Sequence, residues 1–205
     1  KLGPSKCSFA KEKCLFLGHE INKEGISPRN DRVKVIENFP QPKNSKDVKR
    51  LMGLLNWFKK FIPNFSENAQ PINMLLKKDV KFSWGPLQEE CLTKLKRSLL
   101  DSPVLAFPRF DLTFKLAVDT STKGIGYMLY QEHPQNEFPI KTDIRDRVKV
   151  ICFGSKSLKK WQSNYGPTKL ELLGVVTSII DCASYLRGNH FIVECDHQAL
   201  RPVFE

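Results

Sequence analysis

The chain has 205 residues, 40% of them hydrophobic, which is room for one or two domains with real cores. Six cysteines without a C-x-x-C pair and four scattered histidines argue against a zinc site and against a secreted disulfide scaffold. With no signal peptide and no apolar run of about 18 residues, a soluble intracellular protein with no membrane partner is expected.

The formal net charge of +11 points to an anionic partner. Residues 1–110 carry 21 Lys/Arg against 11 Asp/Glu, a net of +10. Residues 111–205 carry 12 against 11, a net of +1. The basic half suits a phosphate-gripping surface, ordinary solubility being the alternative, and the asymmetry suggests a boundary near Pro108–Asp111.

In chain order, residues 1–27 read as a short β segment. Cys14 to Ile21 is a strand candidate interrupted by Gly18, Asn22 to Gly25 a turn, and Ile26 resumes the strand. Ser27-Pro28 reads as a helix cap and first helical position, and Phe39-Pro40 as its stop. Asn44 or Ser45 caps a helix whose apolar positions run from Val48 through Leu55 and Phe58 to Ile62. Lys46, Lys49, Arg50, Lys59 and Lys60 flank it. Trp57 and Phe58 beside Lys59-Lys60 either stack on a nucleic acid strand or fill the core. Pro63 to Ser66 opens another helix through Leu76, and Gly85-Pro86 starts a fourth, with Cys91, Leu92, Leu95, Leu99 and Leu100 inward. Val104 to Pro108 is an extended linker.

The second half begins with a hairpin. Phe114, Leu116 and Val118 alternate with Lys115, Ala117 and Asp119, the period of a half-buried strand. Thr120 to Gly124 is the turn, and Gly124 and Gly126 let a second strand turn tightly away. Gln131 to Asp146 reads as a long polar loop, Val148 to Phe153 as a third strand. Thr168 caps a long helix with Glu171 in its first turn and Leu172, Val175, Val176, Ile179, Ile180 and Ala183 inward. A fourth strand, Phe191 to Cys195, ends at Asp196. The order is β-β-β-α-β.

Asp119, Glu171 and Asp196 therefore sit at element ends. If the first and fourth strands are neighbours and the helix crosses the sheet, the three acids converge at one edge. Unpaired acids brought together are costly unless cations sit among them, and hard oxygen donors suit Mg²⁺, with Mn²⁺ possible in its place. The alternative keeps them apart: Glu171 as an acid near a helix N-terminus, the aspartates as turn residues. Glu194, pointing to the other face of its strand, is set aside.

The run Val118-Asp-Thr-Ser-Thr-Lys-Gly-Ile-Gly126 resembles the first motif of the RNase H domain in gypsy-type LTR-retrotransposon Pol polyproteins. Phe153 to Leu158, Tyr165 to Leu173, Tyr185 to Gly188 and Glu194 to Leu200 resemble the later segments of that domain. Upstream, Lys6 to Phe9, Phe16 to His19 and Gly25 to Pro28 resemble the segment after the reverse transcriptase palm. Leu51 to Phe58 and Phe61 to Phe65 resemble the thumb and connection. The match runs through nearly the whole chain in family order.

The resemblance implies a mixed α+β, α/β architecture: residues 1–27 as the end of the palm, 28–108 as a basic thumb/connection-like helical module, and 109–205 as an incomplete RNase H-like sheet with a flanking helix. It implies that Asp119, Glu171 and Asp196 bind Mg²⁺ in a nuclease cutting the RNA strand of RNA–DNA hybrids, by a two-metal mechanism. Lys46, Lys49, Arg50, Trp57, Lys59 and Lys60 would hold the hybrid or template–primer, largely through backbone phosphates. The remainder of the Pol polyprotein is the implied partner, and the cytoplasm or a virus-like particle the location. A catalytically inactive nucleic-acid-binding or scaffolding remnant is the alternative. Two departures matter: the family's polymerase aspartate pair falls before the position of Lys1, with no Asp-Asp in this chain, and its fourth nuclease acid falls after that of Glu205.

Overall fold

A computed structural model describes Cys7 and residues 9–200. The ends of the first and last segments expected from the sequence, including Lys6 and residues 201–205, lie outside the described residues. Strands β1 (Lys13–Phe16), β2 (His19–Asn22) and β3 (Gly25–Pro28) form an antiparallel meander. Ser27 and Pro28 do not start a helix. They pair with Glu20 and His19 in the ladder, and helix α1 (Asn30–Glu37) begins after Arg29. Tertiary pairing overrides a good local helix-start signal here.

Helix α2 (Ser45–Trp57) starts as expected, with the Asn44 side chain accepting from the Asp47 N–H at 2.9 Å. It buries Val48, Leu51, Met52 and Leu55. It does not continue to Ile62. The N–H groups of Phe58 and Phe61 reach back three residues, to Leu55 and Phe58. The resulting 3₁₀ turn (Lys59–Phe61) still sinks Phe58, Phe61 and Ile62 into the core. The next expected helix is two short ones, α3 (Phe65–Asn68) and α4 (Gln70–Met74), broken around Ala69-Gln70-Pro71, where proline supplies no N–H. Helix α5 (Pro86–Leu100) presents Leu92, Leu95 and Leu99 inward, while Leu100 is half exposed. One apolar cluster unites these helices.

The linker does more than connect. Leu105 and Ile26 exchange backbone hydrogen bonds of 2.7 and 2.8 Å, and the Ala106 N–H donates to the Val150 carbonyl at 2.7 Å. It stitches the first sheet to the second.

That second sheet contains β4 (Phe114–Thr120), β5 (Gly124–Glu132), β6 (Val148–Ser157) and β7 (Phe191–Glu194), in the order β6-β5-β4-β7. β7 runs parallel to β4; the other pairs are antiparallel. The expected loop at Gln131 is still strand. Gln131, fully buried, clamps the entry to β4 by accepting from the Arg109 N–H at 2.9 Å and donating to the Arg109 and Leu112 carbonyls. A short helix α6 (Ile144–Arg147) precedes β6. Helix α7 (Pro167–Asp181) follows it and packs across β4, and α8 (Ala183–Leu186) turns back to β7. The mixed sheet with a flanking helix bears out the α+β reading.

Several details of α7 differ from expectation. Its cap is Gly166, with Pro167 first, so Thr168 lies inside the helix. Ala183 belongs to α8, and Val176 and Ile180 face solvent. The buried face is Leu170, Glu171, Gly174, Val175 and Ser178. Gly174 is what allows helix and strand to meet closely: a Cβ there would lie 2.0 Å from Thr120 Oγ1 and 3.3 Å from Val118 Cγ1. Replacing Gly174 by Ala would favour an isolated helix by about 1 kcal/mol, yet in this contact it is expected to lower the melting temperature. Adding Thr120→Ala to Gly174→Ala is expected to recover part of that loss in the same thermal melt.

Candidate metal and nucleic-acid site

Topology builds the acid site. Strands β4, β6 and β7 all point the same way, so their C-terminal ends share one edge, and the N-terminal end of α7 lies at that edge too. Such edges are the usual ligand-binding places of parallel arrangements. Asp119 is the penultimate residue of β4, opposite Gly126, and is exposed. Asp196 lies two residues beyond β7, also exposed. Glu171 is two residues further into α7 than expected, past its first turn, and is only 8% exposed.

Burial raises the Glu171 pKa above its ordinary value of 4.5, and the nearby charges of Asp196 and then Asp119 raise it further. His197 and Thr120 oppose the rise. Its buried Oε2 has no hydrogen-bond partner among the described residues. The three acids thus share one electrostatic field, with an unsatisfied buried oxygen at its centre. Their hard oxygen donors fit a divalent cation such as Mg²⁺ in chemistry. In spacing they do not form a closed cage: among the described residues no three His, Cys, Asp or Glu side chains are grouped so as to hold one ion. His197 Nε2 lies 2.9 Å from Thr168 Oγ1. Glu194 is elsewhere, as expected, accepting from the Tyr130 hydroxyl at 2.7 Å.

The helical half contributes to this edge, which the sequence did not reveal. Asn64, held at a left-handed φ of 48°, seats its side chain on Gly126; a Cβ there would come within 1.9 Å of Asn64 Oδ1. Gly126 serves this close approach rather than a tight turn. Pro63, Asn64, Ala117, Asp119, Met128 and Phe153 help line a 170 Å³ pocket. The Ser66 N–H donates to Ser155 Oγ at 2.8 Å and holds the loop there.

Of the expected nucleic-acid contacts, Lys46, Lys49, Arg50 and Lys59 are exposed along α2 and its end. Lys60 turns inward. Its ammonium sits 5.2 Å from the Phe61 ring centre, and burial lowers its pKa. Trp57 is 53% exposed, and its indole N–H donates to the Leu17 carbonyl at 2.9 Å, so it is neither core nor free. Phe58 is core. Trp57, Arg32, Leu17 and Gly53 help line a recess of 380 Å³, which meets a second of 590 Å³ at Gly53 and Leu54. Gly53 is the sequence signal for these recesses that the apolar spacing of α2 passes over. A glycine inside an amphipathic helix costs about 1 kcal/mol relative to alanine, and a Cβ at Gly53 would meet nothing within 4 Å.

Residues 84–193 match the family described as the RNase H-like domain found in reverse transcriptase. The chain belongs to that family. It is 31% identical, over all of its length, to the retrovirus-related Pol polyprotein from transposon 412 of Drosophila melanogaster, covering 16% of that protein. To the corresponding polyprotein from transposon 297 it is 34% identical over 98% of its length, covering 18%. The Schizosaccharomyces pombe transposon Tf2-3 polyprotein is 29% identical over 97% of the chain, which covers 14% of it. The chain thus spans less than a fifth of these curated relatives, and the expected likeness to retrotransposon Pol polyproteins holds. In fold it is similar to foamy viral protease-reverse transcriptase in complex with RNA/DNA hybrid, with a TM-score of 0.74 and 19% identity over 97% of this chain and 26% of that one. A complex of the same viral protein with dsDNA gives 0.74 at 18% identity, over 94% of this chain and 38% of that one. Among the described residues no helix is long and apolar enough to cross a membrane.

An acid whose pKa is raised on folding destabilises the fold once it ionises. Below its ordinary value Glu171 costs nothing, and stability falls as pH rises through its folded pKa. Glu171→Gln is therefore expected to raise the melting temperature near pH 7.5 and to leave it unchanged near pH 4. A melt at both values checks the sign.

Proposed function

We propose that this chain is a working part of a retroelement reverse transcriptase–RNase H polyprotein. Its basic helical half grips a template–primer or RNA–DNA hybrid, and its acid edge takes part in cutting the RNA strand. The observation that carries the reading is the parallel β4–β7 pairing under α7, which gathers Asp119, Glu171 and Asp196 at one sheet edge. The family membership supports it. So do the division into two apolar clusters, which fits a thumb/connection-like segment at 28–108 and an RNase H-like one at 109–205, and the meander before residue 28, which fits the end of a palm.

In this reading Asp119, Glu171 and Asp196 would hold Mg²⁺ or Mn²⁺. The cation would polarise the scissile phosphate and supply a nucleophilic water at neutral pH. The residues themselves bind and orient. Burial of Glu171 keeps one carboxylate out of water, and the exposed Asp119 and Asp196 would supply further oxygen ligands to the cation, which would bridge them to the phosphate. Lys46, Lys49, Arg50 and Lys59 contact backbone phosphates, Trp57 offers its exposed ring edge, and Lys60 serves nearer the seam between the halves. The rest of the Pol polyprotein is the partner, and the cytoplasm or a virus-like particle the setting. A binding-only reading, in which the acid edge is silent, is favoured by one observation, the open spacing of the three acids.

Two measurements separate these readings. Hybrid affinity is expected to fall steeply with salt, with Lys49→Ala and Lys59→Ala each reducing the log–log slope by about 1; a flat salt response contradicts the phosphate grip. Mg²⁺ titration by calorimetry is expected to give heat that Asp119→Asn abolishes while hybrid binding persists. In a longer polyprotein the same variant is expected to stop RNA cleavage. Undiminished cleavage by it, or no cation binding by the unaltered chain, leaves the binding-only reading.

A further inference from the structure

Asp196 lies beyond the last hydrogen-bonded residue of β7, so the sheet does not fix it. Its neighbourhood pushes it away, because the charges of Asp196 and Glu171 oppose one another. Something must hold the segment. Two contacts do: Leu200 is buried in the apolar cluster of the second sheet, and the His197 ring is bonded to Thr168. The Leu200 N–H donates to the His197 carbonyl at 3.1 Å, so anchor and ring move as one turn.

Thr168 can serve in this way because it is not the helix cap. Gly166 takes that place, which leaves the Thr168 hydroxyl free to meet His197 Nε2 at 2.9 Å. Thr168 and Glu171 are three residues apart on one helix, so they lie on the same side. His197 directly follows Asp196. The pair therefore links the carrier of one acid to the carrier of the other.

We propose that Thr168 and His197 form a clasp that positions Asp196 against Glu171 for cation binding. Both are positioning residues, acting through the carboxylates beside them. The inference rests on the cation-binding reading of the acid edge. Outer partners of metal ligands commonly govern affinity by about 10–100-fold, and without the clasp the mutual repulsion of the two acids would spread them.

The test is Mg²⁺ and Mn²⁺ titration calorimetry on the whole chain, with Asp119→Asn as the control that reports the site. Thr168→Val is expected to weaken cation affinity about tenfold, and Thr168→Ser, which keeps the hydroxyl, to restore it. His197→Ala should match Thr168→Val, and the double variant should be no worse than either single, as two halves of one contact require. Because the loss of a helix hydroxyl can act on folding alone, melting temperatures are read alongside: a lowered melt with unchanged cation affinity overturns the clasp. So does wild-type affinity in Thr168→Val while Asp119→Asn loses binding, an outcome that leaves the site reading intact. An unaltered chain that binds neither cation overturns both.

Discussion

The parallel pairing of β4 with β7 governs the rest of the second half. Parallel strands cannot be joined by a tight turn; they need a crossover, normally a helix on the sheet face. Here β6 feeds α7, which crosses over β4 before the chain returns as β7. That route fixes the start of α7 and the ends of β4 and β7 at one edge. Four backbone pairs, from Phe114↔Phe191 to Ala117↔Glu194, hold the register. A one-residue slip would reverse the faces of Ile192 and Glu194 and move Asp196 along the edge.

The edge so built is in conflict with stability. A buried carboxylate whose Oε2 lacks any hydrogen-bond partner carries a desolvation penalty. Two further acids nearby add repulsion, and among the described residues no Lys or Arg is paired with any of the three. The exposed charges along α2 in the other half form no ion pair with these acids among the described residues. Such local cost is tolerated where a ligand offsets it. Elsewhere in the sheet Lys115 pairs with Glu132 at 2.6 Å, Lys156 with Asp181 at 2.6 Å, and Gln131 uses both ends of its amide, while Thr120 Oγ1, His133 Nε2 and Arg147 Nε are, like Glu171 Oε2, buried without a partner among the described residues. What sets the acid edge apart is that its orphaned atom belongs to a carboxylate with two further acids close by.

Much of this was legible in the sequence, and the misses have physical causes. Alternation in Phe114–Asp119 and the apolar spacing in α2 and α5 gave those elements their type and buried face. That the first and fourth strands are neighbours was a condition of the three-acid reading rather than a result of it, and the β4–β7 pairing meets that condition. What failed was local signal overruled by distant contact. Ser27-Pro28 has the chemistry of a helix start, but the ladder with β2 claims it. Thr168 has the chemistry of a cap, but Gly166-Pro167 begins the helix sooner. Lys60 is a surface residue by type, yet the 3₁₀ turn after α2 swings it against Phe61. Asn64 could not be found by period or charge. Its role exists only because a loop far upstream of Gly126 lands on that glycine.

That landing ties the two halves together at several points of different chemistry. Asn64 sits on Gly126, Ser66 bonds Ser155, Lys123 lies 3.8 Å from Glu67, and the linker joins β3 to β6 through Leu105 and Ala106. The first three of these contacts fall on β5, its turn or β6; β5 is the neighbour of the strand carrying Asp119, and β6 lies one strand further out. The basic helix α2 leads into this docked segment through a single 3₁₀ turn whose core residues, Phe58 and Phe61, are buried. Through Asn64 and Gly126 the helical half thus touches the strand pair that carries Asp119. On this geometry the surroundings of Asp119 are built by both halves, Pro63 and Asn64 from the helical one and Ala117, Gly126, Met128 and Phe153 from the sheet.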